Sequence, residues 1–164
     1  MESLPNEILV QIFTSLNIQD LARCAQVSKK WRIISKDKKL WLKANLCLNS
    51  ISGQTIEAIC SHETKYLGLR SATIRGPSCF PEKNNLKYLD LSRCQNSGEN
   101  DRDILVELTA SCNLEKLSVA SLFMSSSFIK SIQQNAPTLK VLDLTECRGM
   151  CTVAFLPIFI YLHI

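Results

Sequence analysis

Histidine is scarce in this 164-residue sequence: there are two, His62 and His163, and neither stands in a nucleophile or metal constellation. Nucleophilic catalysis by Ser or Cys needs a base within hydrogen-bond reach, and no cysteine here has an evident one. Eight cysteines are many for this length, yet no C-x-x-C pair occurs among them. The nearest groupings, Cys60-x-His62 and Cys147-x3-Cys151, lack the paired spacing of a zinc site. These absences argue against an enzyme, a metal centre and a cofactor, and they leave most cysteines as small buried apolar residues. A long hydrophobic run is missing too. The longest one free of charge, Val153 to Ile164, has twelve residues and contains Pro157, whereas a spanning helix needs about 20, so no membrane partner is expected. Glu2 and Glu7 break up the start as no secretory leader would. Reduced thiols in the cytoplasm and/or nucleus follow.

What is present is an ordinary globular composition, 46% hydrophobic and 21% charged, enough for one domain or two small ones. The net charge of +4 is concentrated at one end. Residues 1–45 hold eight basic and four acidic side chains, while the remainder holds eleven of each. Seven of those cations lie between Lys29 and Lys43, either as a solvated helical face or as a surface for an acidic protein partner. Aromatic residues do not alternate with them as a stacking platform would require, which argues against nucleic acid.

Two textures divide the chain. Residues 4 to about 45 read as compact and helical. In LPNEILVQIF the apolar residues Ile8, Leu9, Ile12, Phe13 and Leu16, extended by Leu4 and Pro5, cover an arc of about 180°, wider than the roughly 100° that one core requires. Such a helix has two things to bury against. Pro5 suits a first helical turn. Asn17 stops this helix and caps a second over Ile18 to Gln26. Ser28 caps a third, in which Trp31 and Ile34 share one side, and Leu40-Trp41 closes the unit. About 40 residues make a marginal core.

From residue 46 a repeat takes over. Apolar–x–apolar pairs stand at Leu67/Leu69, Leu89/Leu91, Leu117/Val119 and Leu142/Leu144, spaced 22, 28 and 25 residues apart. That is the spacing of leucine-rich repeats. Leu46/Leu48 looks like a degenerate first pair. Between the pairs, TIEAICS, DILVELTAS and SFIKSIQQN have helical periodicity, with Asp101 or Asp103 and Ser126 or Ser127 as N-caps. Pro77 and Pro81 make the second connection irregular. Cys94 and Cys147 occupy the repeat's Asn/Cys position, where hydrogen bonding inside the turn is expected of them.

On these residues the first segment resembles the F-box motif: LPNEILVQIF, DLARCAQVSKKWR and the final LW, with Ser28 where the family often has Cys. With the repeats behind it, the chain resembles F-box/leucine-rich-repeat proteins. The resemblance implies an α/β fold: a three-helix F-box over 1–45, a short leucine-rich-repeat solenoid over 46–152 with strands on the concave face, and an atypical apolar tail over 153–164. It also implies a non-catalytic substrate receptor of a ubiquitin ligase. The F-box would dock on a Skp-type adaptor, and through it a cullin ligase core, by Leu4, Pro5, Ile8, Leu9, Ile12, Phe13 and Leu16, supported by Leu21, Val27 and Trp31. The repeats would hold an unknown protein substrate on residues between the strand leucines: Tyr66, Arg70, Tyr88, Asp90, Arg93, Lys116, Asp143 and Glu146. The tail fits no repeat. It either covers the last open face or marks a truncated or alternatively ended form, in which case a scaffold or competitor that occupies the adaptor becomes the alternative. Anchoring of the tail in a membrane is a remoter one.

Overall fold

A computed structural model of the chain describes residues 4–76, 79–80, 84–96 and 103–149. Its N-terminal unit has helices α1 (Asn6–Phe13), α2 (Ile18–Val27), α3 (Lys29–Ile34) and α4 (Lys38–Trp41). Local chemistry explains where each begins. The Asn17 side chain accepts from the Asp20 backbone N–H, that of Ser28 from Trp31 and that of Asp37 from Lys39, each satisfying a donor that the first turn leaves open. The fourth helix departs from the three expected, because Asp37 caps one more turn before the chain extends. Leu9, Phe13, Leu21, Ile34 and Leu40 form the core of this unit. Phe13 meets Trp31 edge-on, with centroids 5.3 Å apart and planes at 75°, a geometry contributing about 0.5–1.5 kcal/mol beyond burial.

The chain then coils into parallel turns. Strands β1 (Lys43–Asn45), β3 (Tyr66–Gly68), β5 (Tyr88–Asp90), β7 (Lys116–Ser118) and β8 (Val141–Asp143) form one sheet in the order β1-β3-β5-β7-β8, and each neighbouring pair is parallel. A second parallel sheet joins β2 (Ser50–Ser52), β4 (Thr73–Arg75) and β6 (Gln95–Asn96). Helices α5 (Gly53–Cys60), α6 (Ile104–Ala110) and α7 (Ser126–Asn135) return the chain from one turn to the next. Strand alternation sends Leu67, Leu69, Leu89, Leu91, Leu117 and Val119 into one continuous core with the buried faces of these helices. Each fully buried leucine contributes about 1.5–3 kcal/mol. Asp103 caps α6, as one of its two alternatives, whereas α7 is capped by Ser125, one residue before the pair expected from sequence.

The first turn sits two residues earlier than the leucine pattern suggests. Ala44 pairs with Leu67, and the Leu46 N–H donates to Gly68 O at 2.8 Å, so the inward pair is Ala44/Leu46. Leu48 instead stands 82% exposed with φ of 63°. A two-residue slip preserves strand alternation, and small Ala44 hides the true register from a reading that looks for leucine. The strand also begins at Lys43, inside the segment assigned to the helical unit from sequence.

Leu48 belongs to a series. Leu48, Ser71, Arg93, Ser121 and Glu146 have φ of 63°, 55°, 56°, 61° and 57°, each in the corner after its strand. A left-handed corner costs a non-glycine residue about 1–2 kcal/mol. Four of the five donate N–H bonds of 2.8–3.0 Å to the next turn, Leu48 to Arg70 O, Ser71 to Ser92 O, Arg93 to Ala120 O and Ser121 to Thr145 O. Beside these corners, the thiols of Cys94 and Cys147 donate to Leu69 O at 2.7 Å and Val119 O at 3.0 Å. Their bonds thus join successive turns instead of closing one. Burial pushes the Cys94 and Cys60 thiols up to about 12 and that of Cys112 up to about 11, which suits packing and not nucleophilic chemistry. Pro77, Pro81 and the segment 153–164 lie outside the described residues.

Asn135 is the main polar staple of the core. It is buried, its Oδ1 accepts the Leu114 N–H at 2.8 Å, and its Nδ2 donates to Thr109 O at 2.9 Å and Ser131 O at 3.2 Å. Asn135→Ala should lower unfolding free energy by about 2–4 kcal/mol, since it strands buried backbone groups on two neighbouring turns. Urea denaturation followed by circular dichroism checks this, and a loss below about 1 kcal/mol would show the staple to be dispensable.

Candidate interaction surfaces

The wide apolar arc of α1 divides into two rows. Leu9 and Phe13 are 4% and 2% exposed, whereas Leu4, Ile8 and Ile12 are 51%, 43% and 46% exposed. Leu4, Ile8 and Ile12 recur every four residues, so they form one stripe along the helix, and Pro5 is exposed beside them. Lys30 of α3 holds the head of the stripe through a bond from Nζ to Leu4 O at 2.6 Å. Burial divides the docking set expected from sequence into exposed and enclosed residues. Leu9, Phe13 and Leu21 are core residues of the helical unit, and Trp31 and Leu16 are half-buried against them. Leu9, Phe13 and Leu21 hold the helices together, whereas Leu16 and Trp31 each keep part of their surface open. Val27 is exposed at the end of α2. Ile33, exposed on α3, was not expected; its signal was an apolar residue off the Trp31/Ile34 side.

The second surface is the outer face of the five-stranded sheet. Register places Lys43, Tyr66, Tyr88, Lys116 and Val141 side by side, with Asn45, Gly68, Asp90, Ser118 and Asp143 in the parallel row above. A shallow concavity of about 240 Å³ lies over Tyr66, Tyr88, Asp90, Lys116, Ser118 and Asp143. Gly68 matters here for lack of a side chain: a Cβ would stand 3.2 Å from the Tyr66 hydroxyl and 3.1 Å from Asn45 Oδ1. The Tyr66 ring thus leans along the strand over backbone. The Lys116 ammonium lies 5.6 Å from the Tyr88 ring centroid, within cation–π range.

The sheet residues named from sequence therefore fall into two groups. Tyr66, Tyr88, Asp90, Lys116 and Asp143 come together on the face. Arg93 and Glu146 do not. They occupy the left-handed corners beyond the strand ends, where the chain turns away, and Arg70 stands exposed between strand and corner. Asp143 accepts from Ser118 Oγ at 2.8 Å and from the backbone and hydroxyl of Thr145 at 3.0 and 2.6 Å. Those hydrogen bonds, the Thr145 hydroxyl first, hold its carboxyl below the usual range.

Comparison with known proteins identifies both textures. Residues 1–47 match the F-box-like family model, and residues 85–106 match the Leucine Rich Repeat model. The N-terminal segment is thus F-box-like, and one stretch of the coiled part is similar to a leucine-rich repeat. The chain is 48% identical over 40 residues to F-box/WD repeat-containing protein 8 of Homo sapiens, covering 24% of this chain and 7% of that protein. It is 49% identical over 41 residues to F-box/LRR-repeat protein 5 of Xenopus laevis, covering 25% of this chain and 6% of that protein. The shared stretch is thus under a tenth of either relative's length. The exposed stripe, in the F-box-like segment, and the sheet face, in the repeats, are separate surfaces of different chemistry, one aliphatic and one aromatic and charged.

At the lower edge of the sheet face Glu115 bridges Lys140 at 2.8 Å and Lys87 at 3.7 Å. The hydrogen bond and then the charge of Lys140, followed by the Lys87 charge, hold its carboxyl below the usual range, and the same contact raises Lys140. A depressed acid contributes stability above its unfolded pKa, and that contribution is lost as pH falls through its folded value. Wild type should therefore exceed Glu115→Gln in urea midpoint at about pH 7, and the gap should close at about pH 3. A gap of the same size at both pH values would mean that the bridge does not act through its charge.

Proposed function

We propose that this chain is a non-catalytic receptor subunit of an SCF-type ubiquitin ligase. Its F-box docks on a Skp-type adaptor and through it on a cullin core. The leucine-rich repeats hold a protein target, which promotes its ubiquitination and proteasomal degradation. The work is done by proximity: a target lysine held near an activated donor reacts as though intramolecular. The observation that carries this reading is the stripe of Leu4, Ile8 and Ile12, left in water on a helix whose neighbouring row is already buried. An apolar row rimmed by polar residues marks an interaction site. It also explains an arc too wide for a core of five residues.

Exposure dictates the choice of variants. Phe13→Asp would unfold the helical unit and so test nothing about docking. Ile8→Asp/Ile12→Asp changes only exposed positions and should leave the circular dichroism spectrum and the urea midpoint near wild type. Its affinity for a purified Skp-type adaptor should fall by about tenfold or more, as expected when central apolar anchors are removed. Equal affinity of wild type and this variant, or no adaptor binding by wild type, overturns the proposal.

A further inference from the structure

The sheet face is uneven in charge along its strands. At the strand starts the backbone ladder runs from Leu42 through Lys65, Lys87 and Glu115 to Lys140, directly below Lys43, Tyr66, Tyr88, Lys116 and Val141. Five lysines, at least one from every turn, thus share this rim with a single carboxylate. Lys87 and Lys140 are held by Glu115, and Lys116 stands over Tyr88. Lys43 and Lys65 are exposed, and no carboxylate among the described residues pairs with them. The acids one step higher are turned to their own neighbours: Asp143 accepts from Ser118 and Thr145, and Asp90 Oδ1 accepts the Ser92 N–H at 2.9 Å. Tyr66 and Tyr88, adjacent in register, stand between the cations.

We infer that this rim receives an extended acidic segment of a protein target, its carboxylates on Lys43, Lys65 and Lys116 and an apolar side chain against Tyr66 and Tyr88. The inference rests on the proposed role of the repeats in holding a target. Strands about 4.8 Å apart give five of them a breadth near 19 Å, which about six extended residues cover. Tyrosines supply large contact area with a polar tip, while the lysines select by charge and speed encounter. A nucleic acid fits less well. Its backbone bears a charge at every nucleotide and would meet Asp90 and Asp143, whereas a peptide can set neutral or basic side chains opposite them.

The test is fluorescence anisotropy on the full chain with three labelled probes: a short Asp/Glu peptide with a central leucine, its Asn/Gln counterpart, and a single-stranded oligonucleotide of matched charge. The acidic peptide should bind best, should weaken as salt is raised, and should lose about fivefold or more in affinity to Lys43→Glu/Lys65→Glu, since each exposed pair contributes little alone. That variant should fold and bind the adaptor like wild type, because both lysines lie away from the α1 stripe. Equal binding of the amide peptide, tighter binding of the oligonucleotide, no binding of the acidic peptide, or indifference to the double variant overturns the inference. Loss of adaptor binding by the wild-type chain with peptide binding intact would instead count against the F-box reading alone.

Discussion

The fold depends on hydrogen bonds between one turn of the chain and the next. Among the described residues no strand of the sheet exceeds three residues and no returning helix exceeds ten, so no turn could bury its leucines alone. Stacking supplies what the individual turn lacks. Backbone bonds extend the ladder past the strand ends at both sides, from Lys65, Lys87, Glu115 and Lys140 below to the left-handed corners above. The corners are the costly part, being occupied by Leu, Ser, Arg, Ser and Glu and not by glycine. In four of the five, an N–H bond to the following turn accompanies the strained φ. Strain and stacking are therefore coupled, and each corner is stable only as a member of the row.

That coupling explains what could and could not be read from the residues. Leucine spacing revealed the repeat, the strands and the helices between them, because inward positions must be apolar and recur with the turn. It misplaced the first turn by two residues because Ala44 fills an inward site and Leu48 an outward corner. It also put Arg93 and Glu146 on the sheet face, since linear alternation continues on paper where the backbone has already turned. Asn135 escaped notice altogether. A single asparagine in a helix has no periodic signal, and only the folded stack brings Thr109 and Leu114 within its reach. In the helical unit, the width of the apolar arc was legible, but the division of labour within it was not. Leu9 and Ile8 are neighbours in sequence with opposite fates, decided by which side α2 to α4 cover.

The two surfaces are held in one frame by the junction between the helical unit and the first turn. Trp41 packs against both hydrophobic cores, donates from Nε1 to Ser35 O at 2.7 Å and stacks on His62 at 4.9 Å. Leu42 O accepts the N–H groups of Lys65 and Tyr66, Gln19 of α2 bonds Asn49 Oδ1 at 2.8 Å, and Lys38 pairs with Glu63. With one residue between α4 and β1, a flexible linker has no room to form. The scarcity of histidine met at the outset takes on a structural meaning here, for His62 serves as a flat surface for Trp41. A junction of this kind fixes the direction from the α1 stripe to the sheet face. Under the proposed receptor role, that direction would set where a bound target lies relative to the rest of the assembly, and the tight junction would convert affinity for a target into its placement.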